Sequence, residues 1–252
     1  MNVLLIDIGN TRAKWARYDG SRLSGARAAH HAAWSARDFE RIIGSARRPD
    51  RILVSSVAGA KINAALERAA RQARAPAPEF ATTQRHACGV TAGYVEPWRL
   101  GVDRFLGMIG ARAHFARRPI CVVGVGTAMT IDLLDTDGRH RGGAIVPAPS
   151  LMISSLLDGT RGIRRRAQGG VKGSGPALFG RSTRAALEQG ARYAAAAAVD
   201  RAVLEARALL GRPPLVVLTG GGARELRPLI RSASRDIPDL VLWGLAVWAR
   251  EG

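Results

Sequence analysis

An apolar run at residues 3–8 carries an acid, Asp7, near its end. It breaks at Gly9-Asn10-Thr11, and the chain resumes as an alternating apolar–polar segment ending on Asp19-Gly20. That order predicts two strands joined by a tight, glycine-opened turn that bears a hydroxyl. The same order returns at 120–138: an apolar run, a break at Gly126-Thr127, an alternating segment, and Asp137-Gly138. Gly9 and Gly126 hold matching places, and the two Asp-Gly turns agree to within one residue. The repeat is weak in identity and specific in position. The chain reads as two copies of one unit, each opening on a glycine-threonine hairpin.

Between the hairpins the pattern predicts helices at 36–45, 60–74 and 102–115, a buried-type strand at 51–57 and a short strand near 79–81. Ile62, Ala65, Leu66 and Ala69 form one stripe of the second helix, which Ala75-Pro76-Ala77-Pro78 ends. The second copy predicts strands at 120–125, 129–134 and 141–146, a helix at 150–157 and a long alanine-rich helix at 182–210. A strand at 215–218 then leads through Thr219-Gly220-Gly221-Gly222 into another helix, and a last short strand is expected at 240–242 before a C-terminal helix. Residues 161–180, glycine-rich and basic, read as an irregular, mobile loop. Three strands, a helix, a strand and a helix, approximately twice, indicate a duplicated α/β fold with lobes at 1–117 and 118–252. No low-complexity linker separates the lobes, so close packing around a cleft is expected.

Composition narrows the class. The 252 residues suffice for one large or two medium domains with sizeable cores. With no apolar run of about 18 residues and no charged-then-apolar leader, the chain reads as cytosolic and off the membrane. Cys88 and Cys121 are isolated and lack metal-ligand spacing, which suits a reduced compartment. The net charge of +18 comes almost wholly from arginine, locally dense at 161–166 and 181–184. It reads as a compositional habit, as a field that draws in anionic substrates, or as a nucleic-acid surface. Diffuse placement and few aromatics weigh against the last.

Candidate chemistry lies in the loops. Backbone N–H groups and a Thr hydroxyl in a tight turn suit phosphate oxygens, and an adjacent carboxylate can hold Mg²⁺ through water. An ordinary hairpin with Asp7 as a turn residue is the bland alternative. Two such hairpins facing each other would clamp a polyphosphate. Asp103 falls at the start of a helix, where it serves either the helix dipole or, beside Arg104, as a general base. Arg104 suits a carboxylate or phosphate. Thr127 either caps its hairpin or offers its hydroxyl to a ligand. Ser182-Thr183 are natural N-cap residues. Gly220-Gly221-Gly222 lets backbone approach a flat ring or a ribose. The five histidines sit in no constellation and read as surface or loop residues.

Taken together, DIGNT at 7–11, GVDR at 101–104, GTAMT at 126–130 and TGGGA at 219–223 resemble type III pantothenate kinases in order and spacing, over nearly the whole chain. The sequence is also similar to Bvg accessory factor, a homologue linked by name to gene activation. The resemblance implies the duplicated ribonuclease-H-like fold of the acetate and sugar kinase, Hsc70 and actin superfamily. It implies ATP-dependent phosphorylation of pantothenate. It implies ATP contacts from Asp7, Ile8, Gly9, Asn10, Thr11, Arg12, Ala13, Lys14 and Thr127, with Mg²⁺ oriented by Asp7 through water. Asp103 is implied as catalytic base, and Tyr94, Gly101, Val102, Asp103, Arg104 and Thr183 as pantothenate contacts. Thr183 would come from the partner subunit of a homodimer. The family commonly carries Asp three residues before the Thr127 position, where it binds K⁺ or NH₄⁺; here Gly124 stands there, which puts monovalent-cation activation in doubt. Two other readings stay open: an accessory protein that binds nucleic acid or a regulator through its arginine surface, and a kinase of the same superfamily acting on another small alcohol.

Overall fold

The computed structural model describes residues 1–169, 171 and 177–251. The chain forms two compact units, Met1–Arg117 with Asp137–His140 and Asp239–Gly252, and Arg118–Thr136 with Arg141–Pro238.

The first unit is built on a mixed sheet of β1 (Val3–Ile8), β2 (Arg12–Tyr18), β3 (Leu23–His30), β4 (Arg51–Ser56) and β5 (Pro78–Phe80), in the order β3-β2-β1-β4-β5. β1 is central and runs antiparallel to β2 and parallel to β4. Its side chains alternate between two faces, as strand geometry requires. Leu4, Ile6 and Ile8 pack with the buried stripes of α1 (Ala36–Gly44) and α2 (Ala60–Gln72). Val3, Leu5 and Asp7 point to the opposite face, against which α3 (Val102–His114) and α8 (Leu240–Glu251) pack. A two-residue hairpin, β6 (His86–Ala87) and β7 (Val90–Thr91), and a 3₁₀ turn at Pro97–Arg99 lead into α3.

The second unit repeats the plan with β8 (Ile120–Val125), β9 (Ala128–Leu134), β10 (His140–Pro147), β11 (Leu215–Thr219) and β12 (Ser234–Asp236), in the order β10-β9-β8-β11-β12. Its helices are α4 (Pro149–Gly159), α5 (Arg161–Ala167), α6 (Thr183–Leu210) and the short α7 (Ala223–Leu226). The duplication extends to register. Asp7 lies opposite Lys14 on β2 and Ser55 on β4. Gly124 lies opposite Thr130 on β9 and Thr219 on β11. Gly124 therefore holds in the second sheet the place that Asp7 holds in the first. On α6, the small residues Ala195, Ala196, Val199 and Val203 face the core formed by β8, β9 and β11.

Three expectations are corrected. Residues 240–242 are helical, and the last strand is β12. A run such as Leu240-Val241-Leu242-Trp243 is apolar at every position and carries no period to separate strand from helix. The helix buries Leu240, Leu242, Leu245, Ala246, Val247 and Ala249. It also closes tightly on α3: a Cβ at Gly244 would stand 2.0 Å from Leu106 O. This packing places Asp239–Gly252 in the first unit, so the compact units differ from the 118–252 lobe. Part of 161–180 is also helical, namely Arg161–Ala167, held to the end of α4 by Arg164 Nε donating to Leu157 O at 2.7 Å and Nη2 to Asp158 at 3.0 Å. Residues 170 and 172–176 of that segment lie outside the described residues.

Candidate active site

The β1–β2 turn is tied at its base by Gly9 N–H donating to Arg12 O at 3.0 Å, which leaves Asn10 and Thr11 exposed at the tip. The matching turn in the second unit is one residue shorter, with Gly126 N–H donating to Ala128 O at 3.0 Å around an exposed Thr127. Ile8 and Ala13 are wholly buried in the core, so they present only backbone at the turn. Arg12, the first residue of β2, is exposed.

His31 was expected at the surface and is buried. It returns at the end of β3 to brace the first turn from both sides: its backbone N–H donates to Thr11 O at 3.3 Å, and its Nε2 lies 2.6 Å from Gly9 O. A carbonyl only accepts, so that contact places the ring proton on Nε2. Trp34 packs edge-on beside this ring.

Asp7 is the electrostatic centre of the unit. Its Oδ1 is buried and has no hydrogen-bond partner. Burial pushes the carboxyl from 3.8 up to about 6, and the charges of Asp103 and Asp239 push the same way. The Ser55 hydroxyl and Lys14 oppose the rise, although Ser55 Oγ does not meet hydrogen-bonding geometry. Lys14 Nζ pairs with Asp239 Oδ1 at 3.1 Å. Three carboxylates from distant parts of the sequence thus share one field because Asp7 lies on the α3/α8 face of the sheet, and Asp103 and Asp239 stand where those helices begin.

Asp103 occupies the first turn of α3, after the N-cap Gly101. Its Oδ1 accepts the Arg104 N–H at 2.8 Å, and a Cβ at position 101 would stand 2.7 Å from that oxygen. Glycine at 101 therefore makes room for the carboxylate, and Val102 follows half-buried. Arg104 is 8% exposed, which demands partners for its charge. Nη1 donates to Tyr94 Oη at 2.9 Å, and the guanidinium carbon lies 5.5 Å from the centre of the same ring. The Tyr94 loop is held by Arg85, whose Nη1 donates to Tyr94 O at 2.8 Å and Nη2 to Val95 O at 2.7 Å.

The first unit thus gathers Asp7, the Gly9–Thr11 turn, Lys14, Tyr94, Gly101, Asp103 and Arg104. Thr127 and Thr183 belong to the second unit. Thr183 is the first residue of α6, while the helix is capped by Ser182, whose Oγ accepts the Ala185 N–H at 3.1 Å. Gly220-Gly221-Gly222 follows β11, and Gly222 N–H donates to Val125 O at 3.2 Å, which sets the glycine run beside the Gly126 turn. Ser55, His31, Asp239, Arg85 and His140 were not singled out by pattern. None lies in a motif, and each reaches its place only through strand order or a loop. The cysteines stay out of the chemistry: burial pushes the Cys121 thiol up to about 12 and the Cys88 thiol up to about 11. Among the described residues, no group of three or more His, Cys, Asp or Glu side chains is placed to hold a metal.

Comparison with known proteins sets this geometry in a family. The family described as type III pantothenate kinase matches residues 3–205. A type III pantothenate kinase from Nitrosococcus oceani is 35% identical, over 99% of this chain and 94% of the relative. A Campylobacter jejuni protein described as a Baf family transcriptional activator shares the fold, with a TM-score of 0.61, 18% identity and 98% of each chain covered. So does the activator of 2-hydroxyisocaproyl-CoA dehydratase from Clostridium difficile, with a TM-score of 0.53, 13% identity, and 99% of this chain and 94% of that one covered. At those identities the two structures speak for the two-lobed α/β fold alone.

Proposed function

The chain belongs to the type III pantothenate kinase family and phosphorylates pantothenate with ATP, the first step of coenzyme A biosynthesis, and we propose that Asp103 is its catalytic base. The supporting observation is the position of Asp103: an acid in the first turn of α3, beside a buried arginine and within the field of the acid at the end of the β1 strand.

In this reading Asp103 takes the proton of pantothenate's primary hydroxyl as that oxygen attacks the γ-phosphorus in line. A new oxygen–phosphorus bond forms, the bond to the β–γ bridging oxygen breaks, and ADP leaves. The Gly9–Thr11 turn and Lys14 hold phosphate oxygens through N–H, hydroxyl and ammonium donors. Thr127 contributes from the second hairpin. Arg104, kept in place by Tyr94, meets the anionic end of pantothenate, and Gly101 and Val102 line the same contact.

Mg²⁺ fits this donor set. The orphaned, buried Oδ1 of Asp7 is an acceptor awaiting a partner, and a single carboxylate suits an ion that keeps most of its ligands as water and phosphate. When bound, Mg²⁺ neutralises phosphate charge. The potassium or ammonium site is a different matter. Gly124 has no side-chain oxygen, so that ion would depend on backbone carbonyls and on neighbouring hydroxyls such as Thr130 Oγ1, which stands 2.9 Å from where a Cβ at position 124 would lie. The enzyme is a cytoplasmic homodimer in which the partner's Thr183 completes the pantothenate site. In support, no described helix is long and apolar enough to cross a membrane, and Ala194 and Ala197 leave small residues on the outer face of α6. The accessory-protein reading is not favoured, because the full-length relatives are kinases by name.

Asp103→Asn tests the assignment. The amide is nearly isosteric but cannot take the proton, so kcat should fall by about 10²–10⁴-fold while melting temperature and ATP binding stay unchanged. A variant with near wild-type kcat would remove Asp103 from the mechanism. A panel of small alcohols run beside pantothenate tests the substrate.

A further inference from the structure

The two Asp-Gly turns of the repeat have diverged in their surroundings. The Asp19-Gly20 turn stands by itself: Asp19 Oδ1 accepts the N–H groups of Ser21 and Arg22 at 2.8 Å, and a Cβ at Gly20 would meet only the end of the Met1 side chain at 3.8 Å. The segment Asp137–His140 is instead packed within the first unit. Thr91 N–H donates to Gly138 O at 3.0 Å, and a Cβ at Gly138 would fall 2.1 Å from Gly89 O. Gly89 completes the tight turn between β6 and β7, in which Cys88 and Gly89 both have positive φ, 49° and 71°. Two residues after Thr91, a Cβ at Gly93 would fall 1.9 Å from His140 O. Backbone thus touches backbone from Gly138 to His140, and the segment delivers one side chain to the neighbouring loop. His140 is 3% exposed and stacks on Tyr94, with ring centres 5.7 Å apart and planes 21° from parallel.

We infer that His140 is a positioning residue for pantothenate recognition: by stacking on one face of Tyr94 it fixes the ring whose hydroxyl and π-face hold Arg104. The inference rests on the proposal that Tyr94 and Arg104 contact pantothenate. Arg85 fixes only the backbone of the Tyr94 loop, so the ring's orientation depends on what lies against it. A stacked aromatic pair contributes beyond its buried area, and its loss corresponds to as much as about tenfold in a binding constant. His140 acts through Tyr94 and Arg104.

The test compares variants that keep or lose the stack. His140→Phe keeps an aromatic face; His140→Leu and His140→Gln fill the space without one. The expected result is a pantothenate KM raised about five- to tenfold in both non-aromatic variants, with ATP KM and kcat within about twofold of wild type, and a value near wild type for His140→Phe. Leucine, glutamine and phenylalanine variants with the same pantothenate KM would overturn the inference, as would equal rises in both KM values. Tyr94→Ala, measured alongside, separates the two levels. If it leaves pantothenate KM unchanged, the underlying assignment of Tyr94 fails. If it raises that KM and His140→Leu does not, only the role of His140 fails. Should one non-aromatic variant not fold, the other carries the comparison.

Discussion

Replacing Asp7 by asparagine should make the folded protein more stable and the enzyme much poorer. Asp7 ends a buried strand with its Oδ1 out of water and unpartnered, near the negative charges of Asp103 and Asp239. Its carboxyl is raised from 3.8 to about 6. A rise of that size corresponds to roughly 3 kcal/mol lost when the group is ionised in the fold at neutral pH. Between about pH 4 and pH 6 the native state holds a proton that the unfolded chain has released. Stability contributed at this site is therefore highest at low pH, falls as pH rises through that window, and stays low above it. Asparagine carries no charge at any pH. The value of about 6 already includes the attraction of Lys14, and burying an uncharged amide still carries a desolvation cost, which brings the expected gain to about 1–3 kcal/mol at pH 7.5. Each kcal/mol corresponds to roughly 2–4 °C in Tm for a chain of this size. Urea and thermal unfolding of both proteins without nucleotide, at pH 7.5, 5 and 4, measure the effect. The difference should shrink steadily and be small at pH 4. An asparagine variant no more stable than wild type at pH 7.5, or an advantage undiminished at pH 4, would refute the argument. The same variant should lose most of its turnover, and Mg-ATP should raise its Tm less than that of wild type.

The remaining expectations concern ions and assembly. With glycine at 124, initial rates at equal ionic strength should differ only slightly among sodium, potassium and ammonium buffers; an absolute potassium requirement would show that the ion site survives without a carboxylate. Mixing inactive Asp103→Asn with inactive Thr183→Arg subunits should restore part of the activity, since one hybrid site is then intact. A monomer in sedimentation at assay concentration would refute a shared site.

The repeat of hairpins was visible in the order of apolar runs and glycines, because strand pairing demands a two-residue period and a tight turn demands glycine. Gly9 and Gly126, read as equivalent along the chain, are equivalent in register as well. The helices at 60–72, 102–114 and 183–210 lie within one or two residues of where periodicity and cap residues put them. The motif DIGNT identified the first turn, and GVDR identified the head of α3. Neither says what surrounds a side chain. That Asp7 faces α3 and α8, and so meets Asp103 and Asp239, follows from which face of β1 each helix covers, a decision of tertiary packing. That His31 braces the Gly9 turn depends on β3 returning along β2. That Leu240-Val241-Leu242-Trp243 is helix and not strand was settled by the close approach of Gly244 to α3, since an unbroken apolar run has no period of its own. Sequence determined most of the local elements and the chemical groups on offer; only the folded chain decided which charges became neighbours and were buried together, because desolvation and Coulomb energy depend on distances that no spacing along the chain encodes.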